Sequence, residues 1–475
     1  MARERNERLV SLLDEAGWSR AMAASAYNRV AAESLRGEVR ENSKIGRSHV
    51  SMWVGGTQPT GIAPLILCQA LSRRLKREIT PQEAGFTVLT TSAQGAPDWR
   101  VDPLIALSNL GSDVDWDRRS VLAGGVYSAA ALALPDETWW RAMQQGPAQD
   151  SAVGKRVGKR VGKRVGKRVG RGDVETVQEL TLAFSRMDQR RGGGHGRQAV
   201  DEYLRHDVRG FLSGRFPDGA TRRAMYSASA ELAYVSGWMA FDNSEHALAL
   251  HRFNLAVKLA ARAGDAPLSG HILRAMAHQA LDMGFSSEAL KIAEASVHGE
   301  RYAAATPRER ALLGVVHART LAANDQRVQA AQALLRAEDD LSHAHAGIRE
   351  PDRTFFFGEA SLAHETACTL RDLGDHQRAV KEFRHSVRTR GTEFRRTHAV
   401  TLGYMGATQI AQGGVEEACA TWASVLDAME GGIYSGRAHQ TVVDMRRLLS
   451  PYRKRGIPAV RVLDARAAVY LSQVD

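Results

Sequence analysis

Between residues 222 and 440 apolar positions recur at helical spacing in paired runs, with short polar breaks inside each pair. Ala247, Ala289, Ala330, Ala379 and Ala418 take matching places in the second run of successive pairs, 42, 41, 49 and 39 residues apart. The breaks include Asp242-Asn243-Ser244, Gly284 with Ser286-Ser287, Gly374-Asp375 and Gly413-Gly414. A two-helix unit recurring about every forty residues predicts a helical solenoid, whose units bury their apolar faces by stacking. In the first pair Ala228, Leu232, Val235 and Trp238 should face Leu250, Phe253, Ala256, Val257 and Ala260. The long spacing falls where Pro351-Asp352-Arg353-Thr354-Phe355-Phe356-Phe357-Gly358-Glu359 interrupts the pattern. After residue 441 a last helix carrying Val462, Leu463, Ala467 and Leu471 should cap the open end.

The first ninety residues read differently. Leu9, Leu12, Leu13 and Ala16 predict a helix that stops at Gly17, and Ser19 is placed to cap a second one through Met22, Ala26, Val30 and Ala31. Val50-Ser51-Met52-Trp53-Val54 is a short helix with Val50 and Trp53 inward, closed by Gly55-Gly56. A further helix presents Leu65, Leu67, Cys68, Leu71 and Leu75 and ends in Arg73, Arg74, Lys76 and Arg77. The phrase Val50-Ser51-Met52-Trp53-Val54-Gly55-Gly56-Thr57-Gln58-Pro59 resembles the end of the recognition helix in Cro/repressor-type (XRE-like) helix-turn-helix regulators. That resemblance places Arg47, Ser48, His49, Ser51 and Met52 at the major-groove surface. A short helix with a polar tip meets the physical requirement for entering the groove. Lys44, Arg36, Arg40, Arg73 and Arg74 are expected near phosphates. About a dozen residues, 32–43, separate the two helices of the motif, so either the second helix is longer or a loop is inserted.

Charge sharpens this division. The net charge is +11. Residues 1–80 contribute a net +5, and residues 155–171 hold nine Lys and Arg with no acid, which leaves the rest slightly negative. A nucleic-acid partner is therefore expected for the head and not for the solenoid. Cys68, Cys368 and Cys419 stand alone, which gives no disulfide framework or thiolate metal site and suits a reducing cytoplasm. No apolar run reaches membrane-spanning length, and the charged start is unlike a signal peptide.

The connector, residues 91–221, begins with Trp99 and a short helix bearing Leu104, Leu107 and Leu110. Arg118-Arg119 precedes an Ala-rich run, residues 123–134, that imitates a twin-arginine signal. Its place after a complete domain makes a packing helix the expectation. Gly-Lys-Arg-Val repeats across residues 154–170 predict a loop, since glycine at every fourth position opposes helix. The loop is either a basic arm for DNA or a tandem duplication on an exposed segment. Arg190-Arg191-Gly192-Gly193-Gly194-His195-Gly196 reads as a flexible joint. Val200, Leu204, Val208 and Leu212 then share a helix face.

The solenoid resembles a divergent tetratricopeptide (TPR-like) array, with Leu373-Gly374-Asp375 at one break. About four-fifths of the chain resembles Streptomyces-type helix-turn-helix plus TPR regulators, akin to the negative regulators of sporulation and antibiotic production. The resemblance implies an all-α protein: a DNA-binding domain at 1–90, a connector at 91–221, TPR-like repeats at 222–440 and capping helices at 441–475. It implies a cytoplasmic, nucleoid-associated repressor that binds double-stranded DNA as a homodimer, with no cofactor, no metal and no enzymatic activity. A peptide, small molecule or protein is the expected effector of the array. Arg252, Asn254, Arg274, Phe355 and Phe356 are the candidate ligand residues, with packing between units as the competing role for the phenylalanines. Two other readings stay open: a peptide- or small-molecule-responsive quorum-sensing-type receptor, and a helical-repeat adaptor that does not bind DNA.

Overall fold

A computed structural model of the chain describes residues 4–34, 43–75, 77, 79–86, 97–108, 110, 127–145, 167–345 and 347–474. Arg36, Arg40, the start of the Ala-rich run and nearly all of the Gly-Lys-Arg-Val repeats lie outside the described residues. The protein is all-α, as expected. Among the described residues there is no strand, and a single bridge joins Arg168 to Arg215.

The head contains α1 (Glu7–Glu15), α2 (Arg20–Ser34), α3 (Arg47–Val54) and α4 (Ala63–Leu75). The connector supplies α5 (Pro103–Ser108) and α6 (Glu137–Gln145). The described part of the Ala-rich run is a short 3-10 turn, Ala130–Leu132, in place of the expected packing helix. Its Tyr127 and Leu132 are nonetheless buried against the array.

The array begins earlier than the repeat pattern indicated, with α7 (Arg171–Arg191) and α8 (Arg197–Tyr203). Five helix pairs follow: α9 (Gly219–Asp242) with α10 (His246–Ala263), and α11 (Ala266–Asp282) with α12 (Ser286–Ser296). Next are α13 (Pro307–Ala323) with α14 (Arg327–Ser342), α15 (Glu359–Asp372) with α16 (His376–Thr389), and α17 (Arg395–Ala411) with α18 (Val415–Glu430). A sixth, less regular pair, α19 (Gly436–Leu449) and α20 (Pro458–Val474), ends the chain. On α20 Leu463 and Ala467 face inward, but Val462 is 68% exposed and does not join the cap's core.

One hydrogen-bond pattern defines the five regular pairs. In each break a residue takes positive φ: Ser244, Gly284, Asp325, Gly374 and Gly413. The next residue's N–H donates to the carbonyl five back, from Glu245 to Ala240, Phe285 to Ala280, Gln326 to Leu321, Asp375 to Leu370 and Gly414 to Gln409. This closes the first helix with a Schellman-type turn. Five residues after the positive-φ position stands a fully buried alanine: Ala249, Ala289, Ala330, Ala379 and Ala418. A methyl there lets the two helices approach closely. The first landmark is thus Ala249. Ala247, which sequence spacing suggested, is only half-buried.

Two features of the connector have geometric causes. Val200, Leu204, Val208 and Leu212 are all buried, yet their spacing of four residues outruns the 3.6-residue turn of an α-helix. A π-turn over Leu204–Val208 widens the helix and keeps them on one face. The glycines at 192–194 form a close-packed seam and not the flexible joint expected. A β-carbon on Gly193 would come within 2.1 Å of the Met239 carbonyl oxygen, and one on Gly192 within 2.3 Å of that of Tyr434.

That seam closes the array into a ring. α7 lies against both α9 and α17. Arg396 on α17 reaches Asp188 on α7 at 3.1 Å and Asp242 on α9 at 3.2 Å, with all three side chains buried. Asp242 also accepts from the Gly193 N–H and the Ser435 hydroxyl. Across the interior, Arg437 on α19 stands 3.5 Å from Asp282 on α11. The helices that open each pair therefore face inward. Glu231, Asp282, Arg353, Glu365 and Arg437 keep 11–19% of their side chains exposed, so this inner side of the ring, its lumen, is not fully dry.

Burial outweighs the pull of Arg396 and, with nearby Asp242, pushes the Asp188 carboxyl up to about 7. In an unfolded chain an aspartate titrates near ~3.9. Folding therefore takes up a proton between these values, and stability from this group falls as pH rises through that window, by at most about 1.4 kcal/mol per pH unit. Asp188→Asn should flatten that slope in urea melts at a series of pH values. An unchanged slope would count against protonation of Asp188 at the seam. A second test concerns the breaks. Gly374→Ala meets no neighbour within 4 Å, so it probes φ alone and should destabilise the fold by about 1 kcal/mol. Asp325→Gly, at φ 57°, should be neutral or stabilising in the same urea melts.

Candidate nucleic-acid interface

The head is built around Trp53. Its ring packs against Tyr27 at 5.9 Å and Phe86 at 6.4 Å, beside buried Leu9, Leu12, Val50, Leu67 and Leu71. Asn6 ties the ends of the domain together: its side chain accepts from Leu9 N–H at 3.1 Å and donates to the Ala84 carbonyl at 2.9 Å. Ser19 caps α2 as expected, through the Met22 N–H at 3.3 Å. Met22 itself points out, 51% exposed, while Tyr27 takes the core position.

α2 runs to Ser34, three residues past Ala31, and the rest of the 32–43 segment up to residue 42 lies outside the described residues. Asn28 on α2 sets where α3 starts. Its amide donates to the Ile45 carbonyl at 2.8 Å and accepts from the Ile45 N–H at 2.9 Å, as a strand partner would. His49 Nδ1 then accepts from the Gly46 N–H at 3.1 Å and caps α3. Because Nδ1 accepts, the proton of the neutral ring sits on Nε2 and is available as a donor.

With Val50, Trp53 and Val54 inward, Arg47, Ser48, His49 and Met52 stand exposed on α3, with Lys44 exposed just before it. Ser51 is half-buried: its hydroxyl donates to the Arg47 carbonyl at 2.9 Å and receives Arg20 at 3.4 Å. Arg20, at the start of α2, thus joins this surface. Sequence reasoning missed it because it precedes the motif, although its place beside the Ser19 cap was the available signal. The two arginines of α4 are placed otherwise. Arg74 donates to the Ala16 carbonyl at 2.8 Å and closes the end of α1. The Nε and Nη2 of Arg73 are buried, and its charge acts on Tyr127 and on His246 of α10. The structure thus puts Arg73 in the seam between head and array, where it does not join the phosphate-facing set.

The predicted ligand residues divide between two places. Arg252 is 4% exposed and pairs with Asp201 at 3.2 Å between α8 and α10, so its guanidinium is committed to the fold. Asn254 is half-buried on the same helix. Among the described residues Arg274, Phe355 and Phe356 are linked only through His271. Arg274 lies 3.3 Å from His271, whose ring is 6.4 Å from that of Phe356, and Phe355 packs edge-on to Phe356 at 5.9 Å. Arg353 fixes this inserted segment by pairing with Glu309 at 2.6 Å and Glu231 at 2.9 Å. The anchoring role of Arg353 was concealed by the aromatic run that follows it.

Removing Asn28 should unfasten α3 before anything else. Asn28→Ala leaves both polar groups of Ile45 unpaired, at a cost of about 1–3 kcal/mol. Hydrogen exchange should speed up at Ile45 and across α3 while α1 and α4 stay protected. Uniform loss of protection would instead make Asn28 a general core residue.

A family model described as the SP15 N-terminal domain matches residues 9–87, which spans the head from its first core leucine to one residue past Phe86. No curated protein and no solved structure matches the chain.

Proposed function

We propose that the chain is a sequence-specific DNA-binding transcriptional regulator that inserts α3 into the major groove. The observation that carries this reading is the exposed tip Arg47, Ser48, His49 and Met52 on a helix whose other face, Val50 and Trp53, is held in the core. The eight residues of α3 span about 12 Å, the width of the groove. Arg47 and the Nε2 of His49 supply donors to base edges, while Lys44 and Arg20 supply charge for phosphates. The positive charge of the head supports contact by that domain.

In this reading the protein is a homodimeric repressor of developmental or secondary-metabolism genes, acting on the nucleoid in the cytoplasm. One short recognition helix rarely gives enough specificity by itself, which is the reason for two copies. The ring of helix pairs serves as the dimerisation or effector-sensing body.

The test is selection of bound sequences from random DNA, followed by affinity measurements on the selected site. Arg47→Ala with His49→Ala should weaken the selected site by about tenfold or more, since a good base contact is worth about 1–3 kcal/mol. Circular dichroism should show the fold intact. If the double variant stays within about threefold of the parent, less than one such contact, α3 is not the reading helix. If no sequence is enriched, the adaptor reading replaces this one.

A further inference from the structure

Most charges in the lumen have partners. Arg319, Arg353, Arg371, Arg396 and Arg437 each lie within 4.0 Å of a carboxylate. Among the described residues Arg274 has no such partner, although it is only 2% exposed. Its Nη2 donates to the Tyr234 hydroxyl at 2.9 Å and to His271 Nε2 at 3.3 Å. The Trp238 ring lies 5.4 Å from its guanidinium carbon. Its Nε is buried with no hydrogen-bond partner.

His271 does not supply a balancing group. Burial first, then Arg274 and Arg353, hold it well below the usual histidine range, so the ring is neutral. A guanidinium can only donate, so Nε2 accepts and the ring proton sits on Nδ1, 3.6 Å from Glu309. A buried cation that has lost water and gained no counter-ion is unfavourable. The π face of Trp238 compensates in part. Trp238 is half-buried beside this cation, and half-buried Phe356 packs edge-on to His271, the other ring that Arg274 touches.

We propose that Arg274 anchors a small monocarboxylate with a flat apolar body, bound inside the ring against Trp238 and Phe356. The carboxylate takes the unused edge of the guanidinium, including Nε, in the paired geometry that arginine favours. A single charge fits better than a dianion, because Glu231 and Glu309 share the one guanidinium of Arg353 and would repel a second negative charge. This deepens the sensing half of the function proposed above. The binding is measured without DNA, so either idea can fail alone.

The experiment titrates the full-length protein with naphthoate, with the neutral naphthalenemethanol and with inorganic phosphate, by calorimetry and thermal shift. Naphthoate should bind and raise Tm, and the other two should bind at least about tenfold more weakly, as expected for losing a charge-assisted bond or adding a repelled charge. Arg274→Gln should weaken naphthoate by about tenfold, and Arg274→Lys by less, because it keeps the charge but not the fork. If Arg274→Gln does not fold, Phe356→Leu carries the test and should weaken naphthoate with little change in Tm of the unliganded protein. Absence of naphthoate binding at millimolar concentration overturns the proposal. So does equal binding of the alcohol, tighter binding of phosphate, or naphthoate affinity unchanged in the variants.

Discussion

Arg396 reaches from α17 to Asp188 on α7 and Asp242 on α9, so segments 208 and 154 residues apart share one guanidinium. A stack of helix pairs has no intrinsic reason to close, because each pair needs only its neighbours. Closure here requires a contact between the first helix of the array and the fifth pair. The glycines at 192–194 allow the backbones to touch, and the buried ions fix the register in which they do so. Such a cluster is weak support for stability by itself, but removing one member strands the others in a dry site. The seam therefore specifies a shape more than it adds free energy.

The closed shape explains the distribution of residue types along the pairs. The second helix of each regular pair offers an alanine to its partner, and large apolar side chains fill the space around it. The first helix of each pair turns toward a lumen that solvent reaches in part and that is too polar to be an ordinary core. Arginines and carboxylates there neutralise one another between neighbouring units, as Arg319 does with Asp282 at 3.0 Å. The insertion at 351–358 is part of this interior. Arg353 pins it between units one and three, and its three aromatics divide, Phe357 into the core and Phe355 and Phe356 to the lumen.

What the sequence disclosed follows from whether a feature is local. The breaks were legible at Gly284, Gly374 and Gly413, because glycine marks a left-handed turn. They were blurred at Ser244 and Asp325, where a side chain bears the same φ, and so the first alanine was placed two residues early. The period of four in Val200, Leu204, Val208 and Leu212 was visible, but its consequence, a π-turn, depends on burial of all four. In the head, Val50 and Trp53 announced the inner face of α3, while its outer face was named only through the resemblance to helix-turn-helix regulators. Ring closure was invisible because it joins residues far apart in the chain, and the glycine run that permits it has the composition of a flexible linker. Arg252 and Arg274 look equivalent in sequence. Only the partner separates them, a carboxylate for Arg252 and an aromatic wall for Arg274.

The seam between head and array gives these parts a physical connection. Tyr127 is buried against His246 at the start of α10 and Phe285 at the start of α12, and the Arg73 charge acts on that same pair of residues, Tyr127 and His246. Both contacts fall at the breaks of units one and two. Those units also carry Trp238 and Arg274 on their inner faces. A change in the packing of α9 against α11 must therefore be accommodated at the breaks on which Tyr127 rests. α3 lies on a different surface of the head and stays exposed while α2 meets α10. Under the proposed function, this arrangement would not block the groove-reading helix. It would set the orientation of one head relative to its ring, and hence the spacing at which two heads present α3 to a duplex.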